Sequence, residues 1–333
     1  MSRQALRDRC RALPPACFAP VMATGIVSRA LAEAGARTAS ALLLALACAT
    51  YALLLAASAV KALCHRAHLR AELTDPARLF GHYTFVAASG VLATRLGHGP
   101  ARGVSYALLA LAAAVWTALT TALTRLPRAT ARAAARQADG TWFLATVGLQ
   151  SLVLCLTALP PRRVFLAPAL ALWWCGVLLY ALTLAVVTRR LIRHPPEADR
   201  CTPAYWITMG AAAISTLAGT QLLDQDRFRP HAVHGPLTLA VVTLWSWAST
   251  LIPPLLATGC WRHLHHRVPL SYEPALWCVV FPVGMYATAT LRVTATVTHP
   301  APTAVALPLA WSAATVWLTV QGLALASHRP ARL

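Results

Sequence analysis

Ten apolar stretches succeed one another along the chain, at about residues 14–28, 40–63, 80–95, 103–124, 141–159, 164–188, 204–223, 236–259, 274–291 and 303–326. Each approaches the ~20 residues that a helix needs to cross a ~30 Å hydrocarbon core. The stretches alternate in kind. Odd-numbered spans carry Gly25, Gly90, Gly148, Gly210, Gly219 and Gly284 in their interiors, whereas among the even ones only the sixth has one well inside, Gly176. Glycine exposes backbone and permits close approach, so it belongs where helices pack or line a path. Even spans such as 41–57 and 108–123 are largely Ala, Leu and Val, which suits lipid contact. The pattern predicts an all-α integral membrane protein of ten transmembrane helices. They form five helical hairpins, with odd helices lining a central pore and even helices outside. The whole chain, 1–333, reads as one such domain, with short tails at 1–13 and 328–333.

Composition agrees, with 58% hydrophobic and 12% charged residues and a mean hydropathy of +0.57, which leaves little room for a soluble domain. The formal charge of +19 would point to nucleic acid in a soluble protein, but here its distribution explains it. With ten spans both termini share a side, and 20 of the 29 lysines and arginines fall on that side. The positive-inside rule therefore places both termini in the cytoplasm of a cell-membrane protein, and nucleic acid is not an expected partner. The first span follows a basic stretch but reads as an anchor rather than a cleaved leader, because nine more spans follow. A single lysine, Lys61, among so many arginines reads as coding bias.

The ninth span is the most informative for chemistry. Pro282 cannot donate to the carbonyl of Cys278, so the helix should bend there, and Phe281 lies immediately before it. Trp277, Phe281 and Met285 are spaced four apart and share a face. Phe281 is either a helix-packing aromatic or a bulky plug beside a kink, a hydrophobic constriction that gates a path. Thr24 and Gly25 in the first span, Ser89 and Gly90 in the third, Gln150 in the fifth, Ser215 and Gly219 in the seventh and Gly284 in the ninth are candidates to line a weakly polar conduit. Hydroxyls in helices also bond back to their own backbone, the alternative for each. Every odd span ends in arginine: Arg29, Arg95, Arg162 with Arg163, Arg227 with Arg229, and Arg292. Singly, each complements a helix C-terminus; converging on one vestibule, they would concentrate anions.

What is missing narrows the class. No Asp or Glu falls inside a predicted span, no span carries paired histidines for haem, and the nine cysteines form no CxxC pair. His82 stands alone near a cytoplasmic end and reads as interfacial packing, and His263, His265 and His266 lack the acidic or thiol neighbours of a metal site. No cofactor or metal is expected, and no catalytic set of the hydrolase, phosphate-loop or zinc-protease kind appears.

Residues 18–28 (FAPVMATGIVS), 140–151 (GTWFLATVGLQS) and 277–284 (WCVVFPVG), with 216–223 (TLAGTQLL) more loosely, resemble the tellurite-resistance/C4-dicarboxylate transporter family. That family also contains the slow-type anion channels of plant guard cells. The resemblance implies five hairpins around a central pore, a homotrimer with one pore per subunit, and a pore blocked by the phenylalanine of a Phe-Pro step, here Phe281-Pro282. One departure is Ala23, in a Met-Ala-Thr-Gly run where many relatives have Met-Gly-Thr-Gly; it narrows a potential close backbone contact. The function expected is a channel or carrier for small inorganic or carboxylate anions, with C4-dicarboxylates and tellurite the candidates the family name suggests. A proton-coupled dicarboxylate symporter is the alternative within transport; a membrane-embedded enzyme or redox protein is the alternative outside it.

Overall fold

Five long helices among the described residues are mostly buried and five bury only a minority of their residues, and that contrast organises the molecule. The computed structural model describes residues 3–97, 100–160, 162–195, 197–198, 201–225, 231–298 and 303–327. Among them there is no strand. The helices are α1 (Arg3–Arg11), α2 (Ala19–Glu33), α3 (Arg37–Cys64), α4 (Arg66–Thr74), α5 (Pro76–Leu79), α6 (Tyr83–Leu96), α7 (Arg102–Thr124), α8 (Arg128–Ala135), α9 (Leu144–Ala158), α10 (Arg162–Arg193), α11 (Trp206–Leu223), α12 (His231–Cys260), α13 (Trp277–Val293) and α14 (Thr303–Ser327).

Helices α2, α6, α9, α11 and α13 pack one on the next, and α13 closes back on α2. Behind each stands the long helix that follows it in sequence: α3, α7, α10, α12 and α14. Sixteen of the 18 residues of α11 are buried, whereas α3 buries four of its 28. The bare faces are apolar: Leu42, Leu53, Leu178, Leu239 and Leu318 are each at least 57% exposed. Apolar area on that scale calls for cover by lipid or by a partner protein.

Close approach within the inner layer is made by glycine. A Cβ on Gly25 would lie 2.7 Å from Val91, one on Gly90 2.7 Å from Ser151, one on Gly210 2.8 Å from Pro282, and one on Gly284 3.0 Å from Ile26. Four of the five inner contacts, α2–α6, α6–α9, α11–α13 and α13–α2, thus turn on one small residue each.

Polar bonds join the layers in a regular order. Tyr51 on α3 shares a hydrogen bond of 2.7 Å with Ser89 on α6, and Trp116 on α7 donates to the Ala145 carbonyl of α9 at 3.1 Å. Trp173 on α10 donates to the Ser215 carbonyl of α11 (2.8 Å), Trp245 on α12 to Thr290 on α13 (3.0 Å), and Trp317 on α14 to Thr24 on α2 (2.9 Å). Each outer helix follows one inner helix and bonds the next one round. An amphipathic aromatic suits this position, since its ring faces the apolar layer while its donor reaches a buried acceptor. The regularity is invisible as a sequence repeat because the five acceptors differ.

Seven segments are long and apolar enough to cross a membrane: 37–64, 102–124, 140–158, 164–193, 233–265, 274–296 and 308–327. They include all five outer helices but only α9 and α13 of the inner layer. The sequence pattern expects ten spans of near-equal quality, and the structure departs from it at α2, α6 and α11. Helix α11 has 18 residues. The other two are shorter, with 15 and 14 residues, about 21–23 Å at 1.5 Å per residue. The first apolar stretch, read as 14–28, begins its helix only at Ala19 and runs on to Glu33. The short amino-terminal tail, 1–13, holds α1, which packs on α3.

Candidate functional site

The carboxyl ends of all five inner helices border one cavity of about 500 Å³. Arg29 and Glu33 come from α2, Thr94 and Arg95 from α6, Thr157 from α9, and Arg292 from α13; Gln221 of α11 and Asp224 just beyond it complete the wall. The inner helices are therefore parallel. The structure brings Arg29, Arg95 and Arg292 together as the sequence grouped them. Arg162 and Arg163 instead open α10, and their side chains, with Arg227 and Arg229, lie outside the described residues.

The cavity differs from a purely positive funnel in one respect. Glu33 Oε1 lies 3.1 Å from Arg29 Nε and 3.3 Å from Arg292 Nε, so one carboxylate bridges two guanidiniums on α2 and α13. Glu33 lies outside the first predicted span, 14–28, yet belongs to the helix, because α2 continues past Ser28 and ends on it. The pair is an i,i+4 contact, legible in the sequence once the helix end is set correctly. Arg29 is 7% exposed, and Glu33 offsets the cost of burying it. Arg95 donates to Ser40 Oγ at 2.8 Å, within a loop closed by reciprocal Ser28–Ser40 bonds. Thr157 Oγ1 lies 2.8 Å from Gln221 Oε1. Three guanidiniums thus face two carboxylates and five helix ends, each worth about −0.5 charge. The cavity is charge-rich but, with the helix ends included, not net positive.

Deeper in, Trp277, Phe281 and Met285 are all buried on one face of α13, Phe281 completely. Helix α13 continues through Pro282, whose ring packs where Gly210 leaves room.

Most of the other conduit candidates have partners within the protein. Thr24 and Ser89 are taken up by Trp317 and Tyr51. Gln150 donates to the Trp173 carbonyl at 3.2 Å and fills the space left by Gly176. Ser215 bonds the Ala211 carbonyl of its own helix, and Gly219 packs against Val241 and Trp173. Gly25, Gly90 and Gly284 serve contacts between inner helices. The hydroxyl and amide bonds have a common physical cause: a polar atom shielded from water takes the nearest partner, on an outer helix for Thr24, Ser89 and Gln150 and on its own helix for Ser215.

Sequence reasoning also missed a buried charge cluster at the opposite end. Glu72 on α4 is fully buried, with Lys61 Nζ 2.8 Å from Oε2 and Arg78 3.0 Å from Oε1. His68 and His82 come within 3.4 and 3.5 Å of it, so His82 is not solitary. Lys61, read as incidental, also donates to the Leu13 carbonyl at 2.7 Å and ties down the segment that leads into α2. Among the described residues no His, Cys, Asp and Glu group has the arrangement of a metal site, and all nine cysteines are free.

A buried parallel helix layer, a lipid-facing outer layer and a charged cavity at one mouth define a multi-pass membrane protein. The chain belongs to the voltage-dependent anion channel family, whose sequence pattern matches residues 12–325. It is also 36% identical over 156 residues to an uncharacterized membrane protein of Mycobacterium tuberculosis, a match covering 46% of this chain and 79% of that one. An uncharacterized transporter of Methanocaldococcus jannaschii is 24% identical over 155 residues, 45% of this chain and 44% of its own length. The family resemblance carried by the glycine-rich and Phe-Pro segments is thereby established, and the protein falls in a class of membrane anion channels and transporters.

Proposed function

We propose that the chain passes small anions along the axis of the five inner helices, and that Phe281 obstructs that path. The observation that carries this reading is Phe281 itself, a wholly buried ring in the helix layer whose carboxyl ends share the charged cavity. A neutral, dry constriction excludes hydrated ions until it moves or widens. Arg29, Arg95 and Arg292 collect the anion, and neutral groups beyond them bind it weakly enough for release. In this reading all ten long helices cross the plasma membrane as five hairpins with both termini cytoplasmic. Three copies assemble in the bilayer, each with its own path. Inorganic anions, C4-dicarboxylates and tellurite are the candidate substrates.

The test is anion flux into proteoliposomes, normalised to folded protein. Phe281→Ala raises flux at least about tenfold, because removing the ring opens the constriction without adding charge. Unchanged flux with intact folding overturns the gate. Glu33 favours proton-coupled symport as the second reading, since a carboxylate within a transport path is the usual proton carrier. That reading requires external pH to rise with uptake, and Glu33→Gln to abolish the rise.

A further inference from the structure

We propose that the crevice between α3, α7 and the segment before α2 is a binding site for one anionic phospholipid, held by its acyl chain inside and its phosphate on α4. The cavity measures about 360 Å³, and its walls include Leu55, Phe85, Val115 and Leu119, with Leu69 and Leu73 of α4 at its edge. It lies by the final turns of α3 and α7, beside the basic connections that follow those helices.

Two observations select the occupant. First, the basic groups on the wall already lie against Glu72. Lys61 is held by Glu72 and by the Leu13 carbonyl, and His82 faces Glu72 at 3.5 Å. The interior therefore offers hydrocarbon contact and no free charge for a polar ligand. Second, α4 is amphipathic in the sense a lipid headgroup needs. Leu69 and Leu73 line the crevice, while Arg66 and Arg70, each three residues before one of them, are exposed and form no ion pair among the described residues. Glu72 on that helix is consumed internally, so the arginines stand unopposed. An acyl chain in the crevice brings its phosphate to the level of this helix, where surface arginines attract anionic lipid.

Occupation also braces the Leu13–Lys61 tie, and so the start of α2. The site stands whether or not the inner layer conducts, because its readout is lipid retention.

The experiment is native mass spectrometry of the delipidated full chain, titrated with phosphatidylglycerol and phosphatidylcholine of matched acyl chains. One phosphatidylglycerol is expected to be retained in preference to phosphatidylcholine. Arg66→Gln with Arg70→Gln weakens that retention by roughly fivefold per arginine and leaves phosphatidylcholine unchanged. Leu119→Trp, which fills the crevice, removes the retained lipid while the melting temperature holds. Equal retention of the two lipids overturns the proposal, as does a double glutamine variant that still prefers phosphatidylglycerol. Since those arginines are exposed, that variant decides the matter even if Leu119→Trp does not fold. Stronger retention of palmitate than of phosphatidylglycerol would assign the crevice to a free fatty acid and equally overturn it.

Discussion

The inner and outer helices have similar hydrophobic content, yet they are held by different forces. The inner layer is close-packed through glycines, and its hydroxyls are satisfied by its neighbours. Its helices are free to be short and polar because lipid never meets them. The outer layer is long and apolar and exposes most of its surface, so its fit to the bilayer depends on length and composition rather than on shape. Within a bilayer, apolar side chains gain little by leaving lipid for protein, so packing and hydrogen bonds must fasten one layer to the other. The five aromatic donors do that at five places.

The sharpest exception to a greasy outer layer is Lys61 on α3, and it provides the largest expected effect. Lys61→Met leaves Glu72 buried with a weakened set of partners and should destabilise by about 3–5 kcal/mol. Adding Glu72→Leu should recover most of that loss. Thermal melting in detergent measures both, and an unaltered melting temperature for Lys61→Met would show the pair to be incidental.

Glycine separates the layers next. Gly90→Ala places a methyl 2.7 Å from Ser151 and should cost about 1–3 kcal/mol. Gly322 on α14 has nothing within 4 Å of the same position, and Gly322→Ala should instead stabilise by about 0.5–1 kcal/mol. Equal effects at the two sites would erase the distinction between packed and lipid-facing helices.

A smaller change is expected at the joints. Trp317→Phe removes the donor to Thr24 and should lower stability by about 1 kcal/mol, whereas combining it with Thr24→Val should approach wild type. A purely additive double variant would mean the bond contributes nothing beyond packing.

The charged mouth should respond least. Neutralising Arg29, Arg95 and Arg292 to Gln should slow external anion entry by on the order of a few-fold at ~0.01 M salt and by less at ~0.15 M, as the Debye length falls from ~30 Å to ~8 Å. Glu33→Gln unmasks Arg29 and Arg292 and should change entry in the opposite direction. A defect independent of salt would confine these arginines to capping helix ends.

Reading the chain residue by residue recovers the alternation of two kinds of helix, because glycine and hydroxyl content track burial even without coordinates. It also recovers the grouping of Arg29, Arg95 and Arg292, which follows from their common place near the carboxyl ends of parallel helices. The helix ends themselves are less legible. The shift of the first helix from 14–28 to Ala19–Glu33 arises because the Pro14-Pro15 start reads as apolar yet forms turns, and this one error conceals Glu33. The partners of the conduit candidates are illegible for another reason. Composition shows that a helix is polar, but the side on which Thr24 or Ser89 finds a partner depends on its neighbours.

The sequence by itself therefore determined the membrane class, the five-plus-five division and the family, since each depends on hydropathy, residue size and local motif. Only the tertiary structure decided that Glu33 bridges two arginines, that Lys61 serves a buried carboxylate, and that each outer aromatic bonds the next inner helix round. All of these join residues far apart in the chain or on different helices, where the partner is chosen by distance and desolvation and leaves no periodic trace in the sequence.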